Sequence, residues 1–366
     1  MIRRKLSRMD KPLLLAAVAV ALLGVIFVYS ATMDRGDNAA GSFDPVLVKQ
    51  VIWVSVGIVV LLLTASTDYL RVLDYSYLAY VVNLFFLVFL LLFGGERYGA
   101  RRWIGLGPLS FQPSEFVKLT VILALASFLG ERREKRGSLG NFMGAIAIVM
   151  PAGLLIFLQP DLGTALVLIP ILLAILFICG ENLKYIIGMI SAGLVSMPFF
   201  WGILKDYQKA RLMVFINPNL DPLGAGYTII QSKIAIGSGG LLGKGWLNGT
   251  QSHLKFLPER HTDFIFSVVG EEWGFVGAVA LVGLYVLVIS RGIRIMAETE
   301  DVYGRAIAAG VITLMAFQVF VNISMTIGFM PVVGLPLPAI SYGGSNTITS
   351  MIGIGFLLSI SRRANR

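Results

Sequence analysis

Leu13-Leu-Leu-Ala-Ala-Val-Ala-Val-Ala-Leu-Leu-Gly-Val-Ile-Phe-Val-Tyr-Ser-Ala31 is a run of nineteen residues without a single charge. At ~1.5 Å of rise per residue it makes a helix of about 28 Å, close to the ~30 Å thickness of a bilayer's hydrocarbon core. Basic residues precede it (Arg3, Arg4, Lys5, Arg8, Lys11), as in a secretory signal. The run is too long for a signal's apolar region, and no small-residue cleavage site with a soluble domain follows. It reads as a membrane span. Nine further apolar runs follow at 46–66, 77–94, 114–130, 142–158, 163–180, 184–201, 264–290, 306–329 and 346–361. The composition agrees: 366 residues, 56% hydrophobic and 14% charged, with mean hydropathy +0.80. Soluble domains carry about 25% charged residues, so a soluble enzyme of this size is excluded. The expectation is an all-α polytopic membrane protein of about ten transmembrane helices, forming one domain over residues 1–366. The single cysteine, Cys179, excludes an internal disulfide framework.

Orientation follows from Lys and Arg in alternate loops. One side holds seventeen, both termini included, and the short loops of the other hold five: Arg35, Lys49, Arg97, Arg101 and Arg102. Both termini are therefore expected in the cytoplasm. Residues 202–262, between the seventh and eighth spans, form a large extracytoplasmic loop. The formal charge of +9 expresses topology and attraction to anionic membrane lipids, and no nucleic-acid partner is expected. The large loop is glycine-rich (Gly237, Gly239, Gly240, Gly243, Gly245) with half-apolar stretches such as Tyr227-Thr-Ile-Ile230, so it lies on the membrane or dips into it.

Ionisable groups in or beside spans are costly and mark function by default. Glu115 and Lys118 share one helix face near the outer end of the fourth span, either as a self-neutralising pair or as part of a site. Asp161, in Gln159-Pro-Asp-Leu-Gly-Thr164, suits a helix N-cap as well as a site wall. Asp263 ends the large loop in Leu257-Pro-Glu-Arg-His-Thr-Asp-Phe264. Partial desolvation there raises a carboxyl's pKa while neighbouring Arg260 lowers it, which suits a general base; a helix cap is the alternative. Glu271 lies about 12 Å deeper, lining an inward extension of the cavity or buried structurally. Arg101, Arg102, Lys205, Lys209, Arg211, Lys233, Lys244, Lys255 and Arg260 run against the orientation rule, and outward positive charge suits an anionic head group. Position 238 is Ser, which excludes a P-loop at Gly243-Lys244, and two histidines are too few for a multi-histidine zinc site. The residues alone leave an outward-facing enzyme acting on an anionic lipid-linked substrate, or a transporter of such a lipid. A structural scaffold leaves the outward charges unexplained.

The stretches Arg102-Trp-Ile104, Phe111-Gln-Pro-Ser-Glu-Phe-Val-Lys118, Gln159–Thr164, Asp221-Pro-Leu-Gly-Ala-Gly-Tyr227, Gln231-Ser-Lys-Ile-Ala-Ile-Gly-Ser-Gly-Gly240, Gly243-Lys-Gly-Trp246, Leu257–Phe264 and Pro338-Ala-Ile-Ser-Tyr-Gly-Gly344 resemble the SEDS (shape, elongation, division, sporulation) family across essentially the whole chain. Ile-Gly-Ser-Gly-Gly with Gly-Lys-Gly-Trp looks like the elongation branch, the rod-shape proteins, rather than the division branch. The resemblance implies a ten-span fold in the cytoplasmic membrane and a peptidoglycan glycosyltransferase polymerising lipid II on its outer face. A lipid II flippase is the alternative. It implies a class B penicillin-binding protein and other elongation-complex proteins as partners, and places the family's essential aspartate on Asp263. Arg102, Lys118 and Arg211 are then expected to contact pyrophosphate, with Glu115 holding Lys118. Asp161, Gln231, Ser232, Lys244 and Arg260 are expected to complete the substrate-binding set. A divalent cation (magnesium or manganese) is compatible with the pyrophosphate, though no dedicated cage is visible.

Overall fold

Asp10, Asp44, Ser138, Asp161 and Asp301 each stand immediately before a helix, and each accepts a backbone N–H from the first turn that follows. These caps start helices α1 (Lys11–Thr32), α2 (Pro45–Ser66), α6 (Leu139–Leu158), α7 (Leu162–Ile178) and α13 (Val302–Ile327). Between them lie α3 (Tyr69–Leu73), α4 (Ser76–Phe93), α5 (Pro113–Glu131), α8 (Leu183–Ile203), α9 (Asp206–Ile216), α10 (Tyr227–Gly239), α11 (Thr250–His253) and α12 (Ile265–Glu298), and α14 (Gly344–Ala364) ends the chain. The computed structural model describes all residues except 1–8, 34–43, 95–101, 107–108, 205, 223, 225, 254–255 and 365–366. Arg101, Lys205 and Lys255, and from the orientation count Arg3, Arg4, Lys5, Arg8, Arg35, Arg97 and Arg366, lie outside the described residues.

Each of the ten apolar runs lies in a helix. Among the described residues, seven helices (α1, α2, α4, α5, α6, α12, α13) are long and apolar enough to cross a membrane, and α7 and Leu183–Phe199 of α8 are shorter apolar helices. The chain is a multi-pass membrane protein. One small departure from an all-helical reading is a two-stranded antiparallel hairpin, β1 (Ile104–Leu106) with β2 (Leu109–Phe111), leading into α5.

The tenth run, in α14, carries Ser345, Asn346, Thr347, Thr349 and Ser350, yet nearly all of it is buried. Its polar side chains face protein rather than lipid. Small residues let neighbours close on it: a Cβ on Gly355 would lie 3.0 Å from the Leu61 carbonyl of α2. Tight contacts also centre on α13, where a Cβ on Gly310 would meet Ile122 of α5 at 2.7 Å and Ile175 of α7 at 3.0 Å. The exposed apolar residues lie on the rim, among them Phe85 and Phe89 on α4 and Leu194 and Phe199 on α8, as a lipid-facing surface requires.

Two segments at one end of the bundle are not simple loops. Helix α10 packs between α12 and α13, and a Cβ on Gly239 would run into the Gly270 carbonyl. Residues 331–343, between α13 and α14, are irregular but largely buried, with Leu335, Leu337, Ala339 and Ile340 in the core. Non-helical backbone is tolerated at such depth only when protein satisfies its polar groups. Here Asn322 Nδ2 donates to Leu335 O (2.8 Å), Asn346 Nδ2 to Leu337 O (3.2 Å), Tyr285 Oη to Pro338 O (2.6 Å) and Ser341 Oγ to Thr262 O (2.6 Å).

Candidate active site

The irregular segment positions Asp263. Three consecutive carbonyls just before α12 are each held by a donor: His261 O by the Tyr342 amide (2.8 Å), Thr262 O by the Ser341 hydroxyl and Asp263 O by Asn322 Nδ2 (2.9 Å). The Asp263 side chain points at Gly334 of that segment: a Cβ on Gly334, whose φ is +72°, would lie 3.3 Å from Asp263 Oδ2. The N-cap of α12 is Phe264, with no side-chain cap, so the helix-cap reading of Asp263 gives way. Among the described residues its carboxylate accepts no hydrogen bond.

Its electrostatic surroundings are mixed. Burial, then the Glu259 and Asp161 carboxylates, push the Asp263 carboxyl from the ordinary 3.8 up to about 6, against the pull of Arg211 and Arg102. The expectation that Arg260 supplies that pull is corrected. Its Nε donates to Ala31 O at 2.5 Å, and the opposing cations are Arg211 and Arg102.

Arg102 and Asp161 form the opposite wall. Asp161 Oδ1 caps α7 through the Thr164 amide (3.2 Å), so its two readings coexist: Oδ2 lies 3.7 Å from Arg102 Nη1 and 3.5 Å from Gln112 Nε2. Arg102 is fastened to the same turn, its Nε donating to Gln159 O at 3.0 Å and its Nη2 to Pro160 O. Arg211, from α9, is exposed and donates to Val332 O at 3.3 Å, beside Gly334. The structure thus gathers Asp263, Arg211, Arg102, Asp161 and Glu259, the last not among the expected substrate contacts.

Other expected contacts are committed elsewhere. Lys118 Nζ donates to Glu115 Oε1 at 2.7 Å with both residues buried (1% and 3% exposed), and Thr349 approaches Glu115 Oε2 at 3.5 Å. Its charge is spent inside the bundle, away from any surface that meets a phosphate. Lys244 donates to Glu271 Oε1 at 2.8 Å, and the same oxygen accepts from the Thr250 and Gln251 amides at 2.7 and 2.8 Å. Glu271 is therefore the buried structural carboxylate, and Lys244 its partner. The Ser232 hydroxyl, fully buried, donates to Thr326 O at 2.6 Å in the seam between α10 and α13. Gln231 is half-buried on α10 with no partner among the described residues. Sequence reasoning missed Asn322 and Gly334. The available signal was Pro331, Gly334, Pro336 and Pro338 interrupting helix within a largely apolar stretch.

A sequence model of the FtsW/RodA/SpoVE family of cell cycle proteins matches residues 11–366. The chain belongs to this family, the SEDS proteins. Among curated relatives it is 42% identical to the peptidoglycan glycosyltransferase MrdB of Escherichia coli K12, over 93% of this chain and 91% of that one. Among solved structures, a chain described under structural coordination of polymerization and crosslinking by a peptidoglycan synthase complex is 34% identical. It covers 97% of this SEDS chain and 98% of its own, with a TM-score of 0.80. The crystal structure of the rod shape determining protein RodA of Thermus thermophilus is 31% identical over 98% of both chains, with a TM-score of 0.72.

Proposed function

We propose that this SEDS protein is a peptidoglycan glycosyltransferase that polymerises lipid II at the end of the bundle carrying Asp263, on the outer face of the cytoplasmic membrane. The observation that carries the reading is the half-buried Asp263 carboxylate, unbonded among the described residues and facing Arg211 and Arg102. The basic residues crowd the opposite end (Arg71, Arg132, Arg133, Lys135, Arg136, Arg291, Arg294, Arg362, Arg363), which puts that end in the cytoplasm and the site outside. The chain then works as a single transmembrane unit with residues 202–262 on the outer face.

Asp263 takes the proton of the acceptor sugar's 4-hydroxyl. The freed oxygen forms its bond to the donor's anomeric carbon as the bond from that carbon to pyrophosphate breaks. Undecaprenyl pyrophosphate departs with the bonding pair. Because that leaving group is already anionic and stable, one base suffices; hydrolytic glycosidases need a second carboxyl to protonate a poor one. Arg102, held rigidly by the Gln159–Asp161 turn, and Arg211 offset the charge on the departing phosphates. Among the described residues no three metal-ligating side chains gather. A divalent cation would be held by the pyrophosphate itself, where it would offset charge on the departing phosphates.

The relative solved within a peptidoglycan synthase complex supports a partner that crosslinks the product, which we infer is a class B penicillin-binding protein. Translocation is the competing reading. What favours chemistry is that the polar residues running inward from Asp161 (Gln112, Glu115, Lys118) end in a closed, buried ion pair rather than an open passage. Purified protein with its transpeptidase partner, supplied with lipid II, is expected to make glycan polymer. No polymer together with lipid II movement across vesicle leaflets would reverse the assignment.

A further inference from the structure

The Asp263 carboxylate owes its place to groups that never touch the reacting atoms. Asn322, fully buried on α13, uses both Nδ2 hydrogens at once: one on Asp263 O (2.9 Å), the other on Leu335 O (2.8 Å). The second bond fixes the residue next to Gly334, and Asp263 Oδ2 lies on the side of Gly334 where a side chain would project, 3.3 Å from a Cβ placed there. One amide therefore sets the distance between the aspartate's main chain and the wall its carboxylate faces. Among the described residues its Oδ1 accepts nothing, so donation to these two carbonyls is the whole of its hydrogen bonding there. Gly334 is conformationally obliged as well, because at φ +72° a side chain is strained and its first carbon would press on the carboxylate.

We propose that Asn322 is a positioning residue for glycosyl transfer, acting through the Asp263 carbonyl and the Leu335–Gly334 backbone to hold the carboxylate at the site's mouth. The inference rests on Asp263 being the base. Asn322 is fully buried between α12 and the 331–343 segment, and removing its two bonds is expected to loosen that contact and expose the carboxylate to water. The charged groups facing Asp263 (Glu259, Arg211, Asp161 and Arg102) are untouched by the change.

The test uses the full-length protein with its transpeptidase partner and lipid II. Asn322→Leu keeps size and burial while removing both donors. It is expected to lower turnover about 100-fold, the scale of a ~1 Å misplacement, with KM for lipid II held. The acid limb of its pH–rate profile should move from about 6 towards the ordinary 3.8. Gly334→Ala, which leaves the amide clamp intact, should also lower turnover, and it carries the test if Asn322→Leu does not fold. Wild-type turnover in Asn322→Leu, or in Gly334→Ala where Asn322→Leu does not fold, would overturn the proposal, as would a loss with an unmoved acid limb and reduced thermal stability, the signature of a merely structural residue. Asp263→Asn run alongside separates the two ideas. An active Asp263→Asn removes the base assignment itself; an inactive one beside a normal Asn322→Leu removes only the positioning role.

Discussion

Asp161 and Asp263 both precede helices at one end of the bundle, and the sequence presents them alike. The structure separates them by their hydrogen bonds. Asp161 is consumed by its cap, by Gln112 and by Arg102, whereas Asp263 is left to burial. That difference was not legible because it depends on which residue becomes the N-cap, and Phe264, with no capping group, takes that place. A carboxyl held near 6 destabilises the fold when ionised. The cost is absent below its unfolded value of 3.8 and is complete above about 6. Asp263→Asn is therefore expected to melt higher than wild type at pH 7, by of order 2 kcal/mol after allowance for partial exposure, with the gap closing as the pH falls towards 4. Thermal unfolding in detergent at the two pH values checks this, and a variant less stable than wild type at pH 7 would contradict it.

At the scale of elements, the glycine-rich wording around residue 240 has a specific purpose. Helix α12 breaks at Gly274 (φ +64°), which strands the Glu271 and Glu272 carbonyls and the Phe275 and Val276 amides. Residues 240–245 fill the break: Lys244 N and Gly245 N donate to Glu271 O and Glu272 O (both 3.0 Å), while Phe275 N and Val276 N donate to Gly240 O and Leu241 O (2.9 and 3.1 Å). Backbone must approach backbone there, and a Cβ on Gly243 (φ +81°) would collide with Glu272 O. Gly243→Ala is expected to cost at least the ~1–2 kcal/mol of a left-handed L-residue, plus the overlap. Gly237→Ala, in the interior of α10 with nothing within 4 Å of its new methyl, should be neutral or gain up to ~1 kcal/mol of helix propensity. Melting temperatures of the pair check the contrast, and equal effects would contradict it. The sequence pointed to a glycine-rich segment lying on the membrane or dipping into it. It did not show the break, because one glycine within the apolar run 264–290 leaves no mark on hydropathy.

For the whole molecule, legibility follows the solvent. Lipid demands long apolar helices, so all ten runs were readable, and the basic excess at one end was readable with them. Helix α14 shows the limit. Its polar residues lower its hydropathy, and only its burial against α2, α5 and α13 explains how it lies within the bundle. The Glu115–Lys118 spacing was equally plain, but the depth that closes the pair off depends on α14 supplying Thr349. At the far end Asp10 grips Arg291 (2.6 Å) and Asp68 grips Arg363 (2.8 Å), tying α1 to α12 and the start of α3 to α14. The bundle thus holds Asp263 firmly. Asp263→Asn keeps the shape and removes the carboxylate proposed as the base. Measured as glycan polymer formed from lipid II by the purified protein with its transpeptidase partner, this variant is expected to make none while still binding lipid II. Polymerisation at the wild-type rate would contradict the account.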